Sequence, residues 1–271
     1  MPAGDCNLII MDLKIKDKWA LVTGGANGIG EEISKELASA GVNLVVTSRT
    51  KQPINDLKEK LKGFDVEVHG VEVDFIDSDW MGRFRQDLAP YSFSILVNNA
   101  GHNLNVTDPY CSQEDWDKVL ALNFFAPVQI CNLLIPKMKK LGWGRIVNIT
   151  SCAGLENMGP VTYGIAKSSL TTYTRTMGRI LATEGGEVVM SAVFPGVVVT
   201  EGGHWDKILK EDPKRAEEYL NERCPLGRFG ETNEIAPVVV FYCSQHASFS
   251  HGAIIPADAG QARSYMYHNY L

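Results

Sequence analysis

Residues 21–41 read LVTGGANGIGEEISKELASAG, an apolar run followed by a turn with four glycines and a stretch with helical spacing. Ile29, Ile33 and Leu37 recur every four residues, as on the face of a helix that lies on a sheet. Glycine lets main-chain N–H groups approach an anion, and a helix start carries a partial positive charge. The stretch favours a strand–turn–helix unit that binds a pyrophosphate, although a turn that binds nothing stays open at this point.

The rest of the chain repeats this alternation of β-branched runs and helical patterns. Strands are predicted at 19–23, 43–48, 67–74, 94–98, 145–150, 188–194 and 253–256, and helices at 29–40, 54–62, 79–88, 113–141, 163–183 and 232–243. Such an order favours an α/β fold with a seven-stranded parallel sheet flanked by helices on both faces. We expect a single domain over 15–262, an N-terminal extension at 1–14 and a C-terminal tail at 263–271.

The amino-acid composition indicates which kinds of partner the protein can bind. The formal net charge is −6 and the charges are well mixed, so no basic surface for nucleic acid or anionic lipid is expected. No run approaches the roughly 18 apolar residues that span a membrane, and no secretory leader is recognisable. The six cysteines form no C-x-x-C pair and predict reduced thiols, and the histidines show no metal-binding spacing. We therefore expect a cytoplasmic protein with a small-molecule partner and no metal.

Further motifs follow the glycine turn in a fixed order. The turn itself reads T-G-x-x-x-G-x-G from Thr23, and N-N-A-G follows at 98–101. Asn123 stands in ALNFFAP, Ser151 ends RIVNITS, Y-x-x-x-K spans 163–167, and Pro-Gly follows at 195–196. In this combination, over about residues 15–262, the chain resembles the classical short-chain dehydrogenase/reductase family. The resemblance implies a Rossmann-like, doubly wound domain and a nicotinamide-dependent oxidoreductase.

The resemblance also implies a catalytic set of Asn123, Ser151, Tyr163 and Lys167. Tyr163 would exchange a proton with the substrate oxygen, and Ser151 would hydrogen-bond that oxygen. Lys167 would hold the nicotinamide ribose, and Asn123 would keep a water in a proton relay. The four-residue spacing places Tyr163 and Lys167 on one helix face, where an ammonium within about 4–6 Å is expected to lower the phenol pKa by roughly 1–3 units.

Each of these four residues also has a structural alternative: a buried ring beside a lysine, a serine at a strand end, or an asparagine at a helix kink. Ser151 precedes Tyr163 by twelve positions, one fewer than the family spacing. The loop between them is therefore expected to be one residue short and the serine slightly displaced.

The sequence favours NADP(H) over NAD(H), which stays open. An acidic side chain after the second strand would bind the ribose 2′-hydroxyl, but no Asp or Glu occurs between Glu36 and Asp56. Arg49 follows that strand and suits a 2′-phosphate, with Ser48 assisting. The cofactor residues implied by the resemblance are Gly24, Asn27, Gly28, Ile29, Gly30, Ser48, Arg49, Asp74, Phe75, Asn99, Ala100, Gly101, Tyr163, Lys167, Pro195, Gly196, Val198 and Thr200.

A charged excursion at 201–227, called here the lid segment, interrupts the repeating pattern. Long excursions in compact domains often cover a binding site. The side chains expected to line the pocket are Trp205, Ile208, Leu209 and Tyr219, and those expected to face water are Lys207, Lys210, Lys214 and Arg215. A peripheral helix pair is the alternative. Cys152, Glu156 and Asn157 are further candidates for substrate contact.

The resemblance implies a secondary alcohol or ketone of a small molecule as substrate, and a homotetramer or dimer in which the C-terminal tail packs on a neighbour. Two other functions stay open. One is a nucleotide-binding scaffold that lacks turnover, and the other is a sugar-nucleotide epimerase or dehydratase, which shares Y-x-x-x-K. Simple sugars, 3-oxoacyl thioesters, steroids and polyols all remain candidate substrates.

Overall fold

The computed structural model describes residues 11–156 and 158–263. Its strands are β1 (Trp19–Val22), β2 (Asn43–Ser48), β3 (Val68–Glu72), β4 (Phe93–Asn98), β5 (Gly144–Ile149), β6 (Val188–Pro195) and β7 (Ile254–Ala257). Its α-helices are α1 (Gly28–Ser39), α2 (Lys51–Leu61), α3 (Trp80–Asp87), α4 (Gln113–Leu120), α5 (Ala126–Leu141), α6 (Val161–Thr183), α7 (His204–Glu211), α8 (Pro213–Arg223) and α9 (Thr232–Tyr242). A π-helical turn lies at Ala121–Phe125, and 3₁₀ turns lie at Cys152–Gly154 and Gln245–Ala247.

The strands form one parallel seven-stranded sheet in the order β3-β2-β1-β4-β5-β6-β7. The predicted Rossmann-like, doubly wound fold is confirmed, and each of the seven predicted strands is present with its ends moved by a few residues. The strand order reverses between β1 and β4, and open α/β sheets bind ligands in the crevice at such a point. The glycine turn after β1 and the N-N-A-G segment after β4 both open onto this crevice.

Apolar side chains cover both faces of the sheet. One core cluster joins the sheet to α1, α2 and α9, and it includes Ile33, Leu57 and Val239. The other joins it to α3, α5 and α6, and it includes Phe84 and Leu134. The central strands β4, β5 and β6 are buried along their whole length, as parallel strands covered on both faces must be.

The helix predicted over 113–141 is confirmed as one continuous run of α4, the π-helical turn and α5, but the sequence did not predict that the turn in its middle is π-helical. The Asn123 side chain donates to the carbonyl of Val119, four residues earlier, at 2.9 Å within the irregular turn. By length and composition the whole segment is apolar enough to cross a membrane. However, seven residues of α5 are buried in the protein core, which is the pattern of a core helix.

The lid segment contains α7 and α8. Ala216 is the one fully buried residue within these helices, and the four basic side chains predicted to face water are exposed. Trp205, Ile208 and Tyr219 are half-buried, and Leu209 is 39% exposed. The lining of a pocket by these four side chains stays a prediction.

Three sequence predictions lie wholly or mostly outside the described residues. These are the N-terminal extension apart from residues 11–14, the C-terminal tail apart from Arg263, and the contact of Asn157 with substrate. They stay predictions, as do the domain boundaries.

The glycine turn generates a test of the fold. A Cβ on Gly30 would lie 2.1 Å from the Gly24 carbonyl oxygen and 2.4 Å from Asn99 Nδ2, so Gly30→Ala must displace backbone. We expect a loss of at least about 2 kcal/mol of unfolding free energy and a fall in Tm of about 5 °C, measured by calorimetry.

Gly82→Ala is the matched control, because a Cβ there meets nothing within 4 Å and Gly82 lies inside α3. Alanine at such a helical position is expected to raise stability slightly. Equal Tm values for Gly30→Ala and the wild type would contradict the close approach at the turn.

Candidate active site

The glycine turn is held against the end of β4 by hydrogen bonds that cross the strand-order reversal. Thr23 Oγ1 accepts from the backbone N–H groups of Asn99 and Ala100, each at 3.0 Å. Asn99 Nδ2 donates to the carbonyls of Thr23 and Gly24 at 3.0 and 3.1 Å. Gly24 adopts a φ of +60°, and its N–H donates to Thr47 Oγ1. Asn99, Ala100 and Gly24 thus come together as predicted; Thr23 was part of the quoted motif without an assigned role, and Thr47 was missed.

The start of α1 is open toward the crevice. Asn27 stands at the cap position but is exposed, and its side chain makes no capping hydrogen bond. Gly28 has a φ of +54°, and a Cβ there would lie 3.1 Å from Thr200 Cγ2. Thr200 therefore lies beside the turn, as predicted. The first N–H groups of α1 and the small glycine surface form a cradle suited to an anion.

Asn123, Lys167 and Gly101 meet at the floor of the crevice. A Cβ on Gly101 would lie 2.8 Å from both Asn123 Oδ1 and Lys167 Nζ, so both polar groups approach the main chain at this point. Asn123 is fully buried, and its amide binds the backbone of His102 twice, accepting at 3.1 Å and donating at 2.8 Å. The π-helical turn turns this amide inward, so the structural alternative of a kink residue and the predicted site position are both realised.

Lys167 is buried and Tyr163 lies one turn before it on α6. Lys167 Nζ donates to the Ile149 carbonyl at 2.8 Å and lies 5.6 Å from the centre of the Tyr163 ring. Burial lowers the pKa of Lys167 to about 8, because the charged ammonium is poorly solvated.

Ser151 lies beside Tyr163 despite the shortened loop. The two side chains are hydrogen-bonded, and a Cβ on Gly154 would meet backbone of Lys167 and Ser168, so the 3₁₀ turn packs tightly on α6. Burial raises the pKa of Tyr163 to about 12, and the Ser151 hydrogen bond offsets only part of that rise. The prediction that the lysine lowers this pKa was wrong for the protein without ligand, because the pKa is raised and burial is the largest cause.

The predicted cofactor residues that follow β2 and β3 differ in how accessible their side chains are. Arg49 is exposed and Ser48 half-buried at the end of β2. The pKa of His102 is lowered by burial and then by the positive charges of Arg49 and His204, so the Arg49 guanidinium acts electrostatically on the crevice. The half-buried Asp74 accepts from the Ile76 N–H. By contrast, the Phe75 ring is buried against other aromatic rings, which leaves only its backbone for a ligand.

The loop after β6 is fixed by the segment that follows β7. The Gly196 N–H donates to Ala257, and a Cβ on Gly196 would lie 2.8 Å from Asp258 Cα. Val198 bridges to Gly230, which closes the base of the lid segment. This arrangement holds Pro195, Gly196 and Val198 at the carboxyl edge of the sheet, where the sequence placed them.

The sequence missed one residue of this region, Gln261. It is 5% exposed and accepts from the Val197 N–H at 3.0 Å. Its amide also donates to the Tyr219 hydroxyl at 2.9 Å, which joins the loop to the lid segment. A glutamine after the last strand carries no recognisable signal in a single sequence.

Comparison with known proteins was made against families, curated relatives and solved structures. A family model described as short chain dehydrogenase matches residues 18–207. The chain is 34% identical over 254 residues to the 3-oxoacyl-acyl-carrier-protein reductase of Aquifex aeolicus, covering 92% of this chain and 99% of that one. It is 33% identical over 247 residues to the acetoacetyl-CoA reductase of Rhizobium meliloti, covering 89% and 97%.

Among solved structures, the L-sorbose reductase of Gluconobacter frateurii, in complex with NADPH and L-sorbose, superposes with a TM-score of 0.86 at 25% identity. The alignment covers 93% of this chain and 99% of that one. These proteins match the chain over nearly its whole length and not only over the glycine turn.

The burial of Lys167 generates a titration test. Because its pKa is about 8, we expect the ammonium to lose its proton on raising the pH from 7 to 9 in the protein without ligand. NMR of isotope-labelled lysine side chains measures this directly, and Lys167→Met assigns the signal. A Lys167 signal that titrates only above pH 10 would contradict the desolvation argument.

Proposed function

The chain belongs to the short-chain dehydrogenase family, and we propose that it is an NADP(H)-dependent oxidoreductase that interconverts a secondary alcohol and a ketone of a small molecule. The observation that carries this proposal is the meeting of Tyr163, Ser151, Lys167 and Asn123 around Gly101 at the crevice. The relatives described above are named as reductases of three different carbonyl compounds. A scaffold without turnover would not need this set of polar side chains in one place.

In the proposed mechanism Tyr163 holds and moves the proton. The phenol is protonated at neutral pH, as its role as proton donor to a carbonyl oxygen requires. Ser151 hydrogen-bonds the same substrate oxygen. Lys167 and Asn123 connect the phenol to the floor of the crevice, and their partners Ile149 and His102 fix both groups in place.

The cofactor supplies the hydride. The open start of α1 and the glycine cradle fit a pyrophosphate, and the backbone of Gly24, Gly28 and Gly30 would hold it. Arg49, with Ser48, would bind the 2′-phosphate, and no acidic side chain competes at the end of β2. Asp74 would contact the adenine, and Thr200 would contact the nicotinamide end. NAD(H) remains the second candidate cofactor.

We also propose that the protein assembles as a homotetramer or dimer. The outer faces of the π-helical turn and α6 present large apolar side chains to solvent, with Phe125 49%, Val161 47% and Ile165 46% exposed. A groove beside them is lined by Phe124, Ile165 and Tyr173. Exposed apolar patches of this kind are typical of association surfaces.

The role of Tyr163 is tested by Tyr163→Phe, which removes one oxygen atom. Loss of a placed proton donor costs about 10²–10⁴ in rate, so we expect kcat for ketone reduction to fall by that factor. NADPH binding should persist, because the phenylalanine ring keeps the packing. Nicotinamide absorbance with a panel of ketones measures turnover, and quenching of tryptophan fluorescence measures the Kd of NADPH.

Tyr91→Phe is the control for this experiment, since Tyr91 packs on Trp19 at the amino ends of the strands, away from the crevice. Normal turnover by Tyr163→Phe would remove this residue as the proton donor. A wild-type protein that binds NADPH and reduces no ketone of the panel would instead favour the scaffold.

The cofactor preference is tested by Arg49→Asp. A charged hydrogen bond to phosphate is worth about 1.5–3 kcal/mol, so the ratio of kcat/KM for NADPH over NADH should fall by at least about tenfold. Lys62→Asp makes the same charge change at the far end of α2 and controls for a general field effect. A ratio that changes equally in both variants would remove Arg49 from the phosphate site.

A further inference from the structure

Gln261 joins three parts of the site through one amide group. Its Oε1 accepts from the Val197 N–H at 3.0 Å and lies 3.7 Å from the Cys152 thiol. Its Nε2 donates to the Tyr219 hydroxyl at 2.9 Å. The amide therefore contacts the loop after β6, the residue next to Ser151, and the lid segment.

The direction of these hydrogen bonds is fixed by the backbone. An N–H group can only donate, so the amide atom that faces the Val197 N–H must be the oxygen. The amide nitrogen then faces Tyr219, and the phenolic oxygen is the acceptor of that bond. Rotating the amide by half a turn would set two donors against each other at Val197.

It follows that the Tyr219 hydroxyl still has its own hydrogen to donate. Within residues 11–156 and 158–263 the only hydrogen bond of this hydroxyl is the one it accepts from Gln261. Burial raises the pKa of Tyr219, so the phenol keeps its proton at neutral pH. The ring is half-buried and stacks on Trp205 with 4.2 Å between centroids, which holds the hydroxyl in one place.

The Tyr219 hydroxyl lies close to the chain segment that bears Ser151. Cys152, which directly follows Ser151, lies 3.3 Å from the carbonyl oxygen of Pro195 and faces Gln261 on its other side. The Tyr219 hydroxyl is thus separated from the segment that bears Ser151 by a single side-chain amide.

We propose that Tyr219, oriented by Gln261, determines substrate specificity by donating its hydroxyl hydrogen to a second oxygen atom of the substrate. This inference rests on the proposed function and names the substrate class: a ketone that bears another oxygen acceptor near its carbonyl. The acceptor is the hydroxyl of a hydroxyketone or the carbonyl of a 3-oxo ester. A hydrocarbon ketone leaves the half-buried donor unpaired, which costs binding energy.

The test compares three ketones that differ in the second oxygen. Erythrulose is a small open-chain hydroxyketone, ethyl acetoacetate is a 3-oxo ester, and butanone has no second oxygen. In the wild type we expect kcat/KM for an oxygenated ketone to exceed that for butanone. In Tyr219→Phe this ratio should fall by about tenfold, as loss of one hydrogen bond implies, while butanone reduction stays near its wild-type rate.

The ratio of kcat/KM for an oxygenated ketone to that for butanone distinguishes loss of a hydrogen bond to the substrate from general loosening of the lid segment. A Tyr219 that only packs would lower kcat/KM for all three ketones equally, and that outcome overturns the inference. The compound whose advantage disappears identifies the source of the second oxygen. Tyr91→Phe serves again as the matched control and should leave all three values unchanged.

Gln261→Leu tests the orienting residue. Without the amide the Tyr219 hydroxyl is free to turn away, so the ratio should fall, but by less than in Tyr219→Phe. An unchanged ratio removes Gln261 as the positioning residue. A wild-type protein that reduces ketones without preferring the oxygenated ones overturns this inference alone, whereas a wild type inactive with every ketone overturns the proposed function.

Discussion

The contact between the glycine turn and the end of β4 is the constraint on which the site depends. Asn99 donates two hydrogen bonds to Thr23 across the reversal of strand order, and Gly30 lies too close to Asn99 for any side chain. Because the turn cannot move away from β4, the start of α1 and the floor of the crevice are held together. The cradle for an anion and the proton-moving groups around Gly101 therefore belong to one rigid unit.

The parts of the fold that could be predicted are those that depend on local pattern. A strand such as β6, which reads VVMSAVFP, is almost wholly apolar and follows two glycines, so its position was evident. The π-helical turn was not, because Ala121–Phe125 continues the helical pattern and nothing in it shows that the Asn123 amide binds the backbone of His102. The short helix α7 has a related limit, since an amphipathic sequence does not show which neighbour its apolar face meets.

In the site, the sequence predicted which residues come together but not their pKa values. The spacing of Tyr163 and Lys167 correctly placed both on one face of α6, but it contains no information about solvation. Both groups are buried, and burial moves both pKa values toward the neutral form, the phenol upward and the ammonium downward. A lysine that helps to hold a ribose need not also make the tyrosine acidic. A phenol that keeps its proton at neutral pH is in the state that donation to a ketone requires, although its higher pKa makes it a weaker acid.

Long-range hydrogen bonds were the least predictable part, and Gln261 illustrates why. Its three partners stand 42 to 109 positions away in the chain, at Cys152, Val197 and Tyr219, so no local rule relates them. Yet once the backbone of Val197 fixes the amide oxygen, every further donor and acceptor in the series follows. One side chain thus fixes which atoms donate and which accept from the loop after β6 to the lid segment, and within residues 11–156 and 158–263 the Tyr219 hydroxyl at its end donates to no protein acceptor.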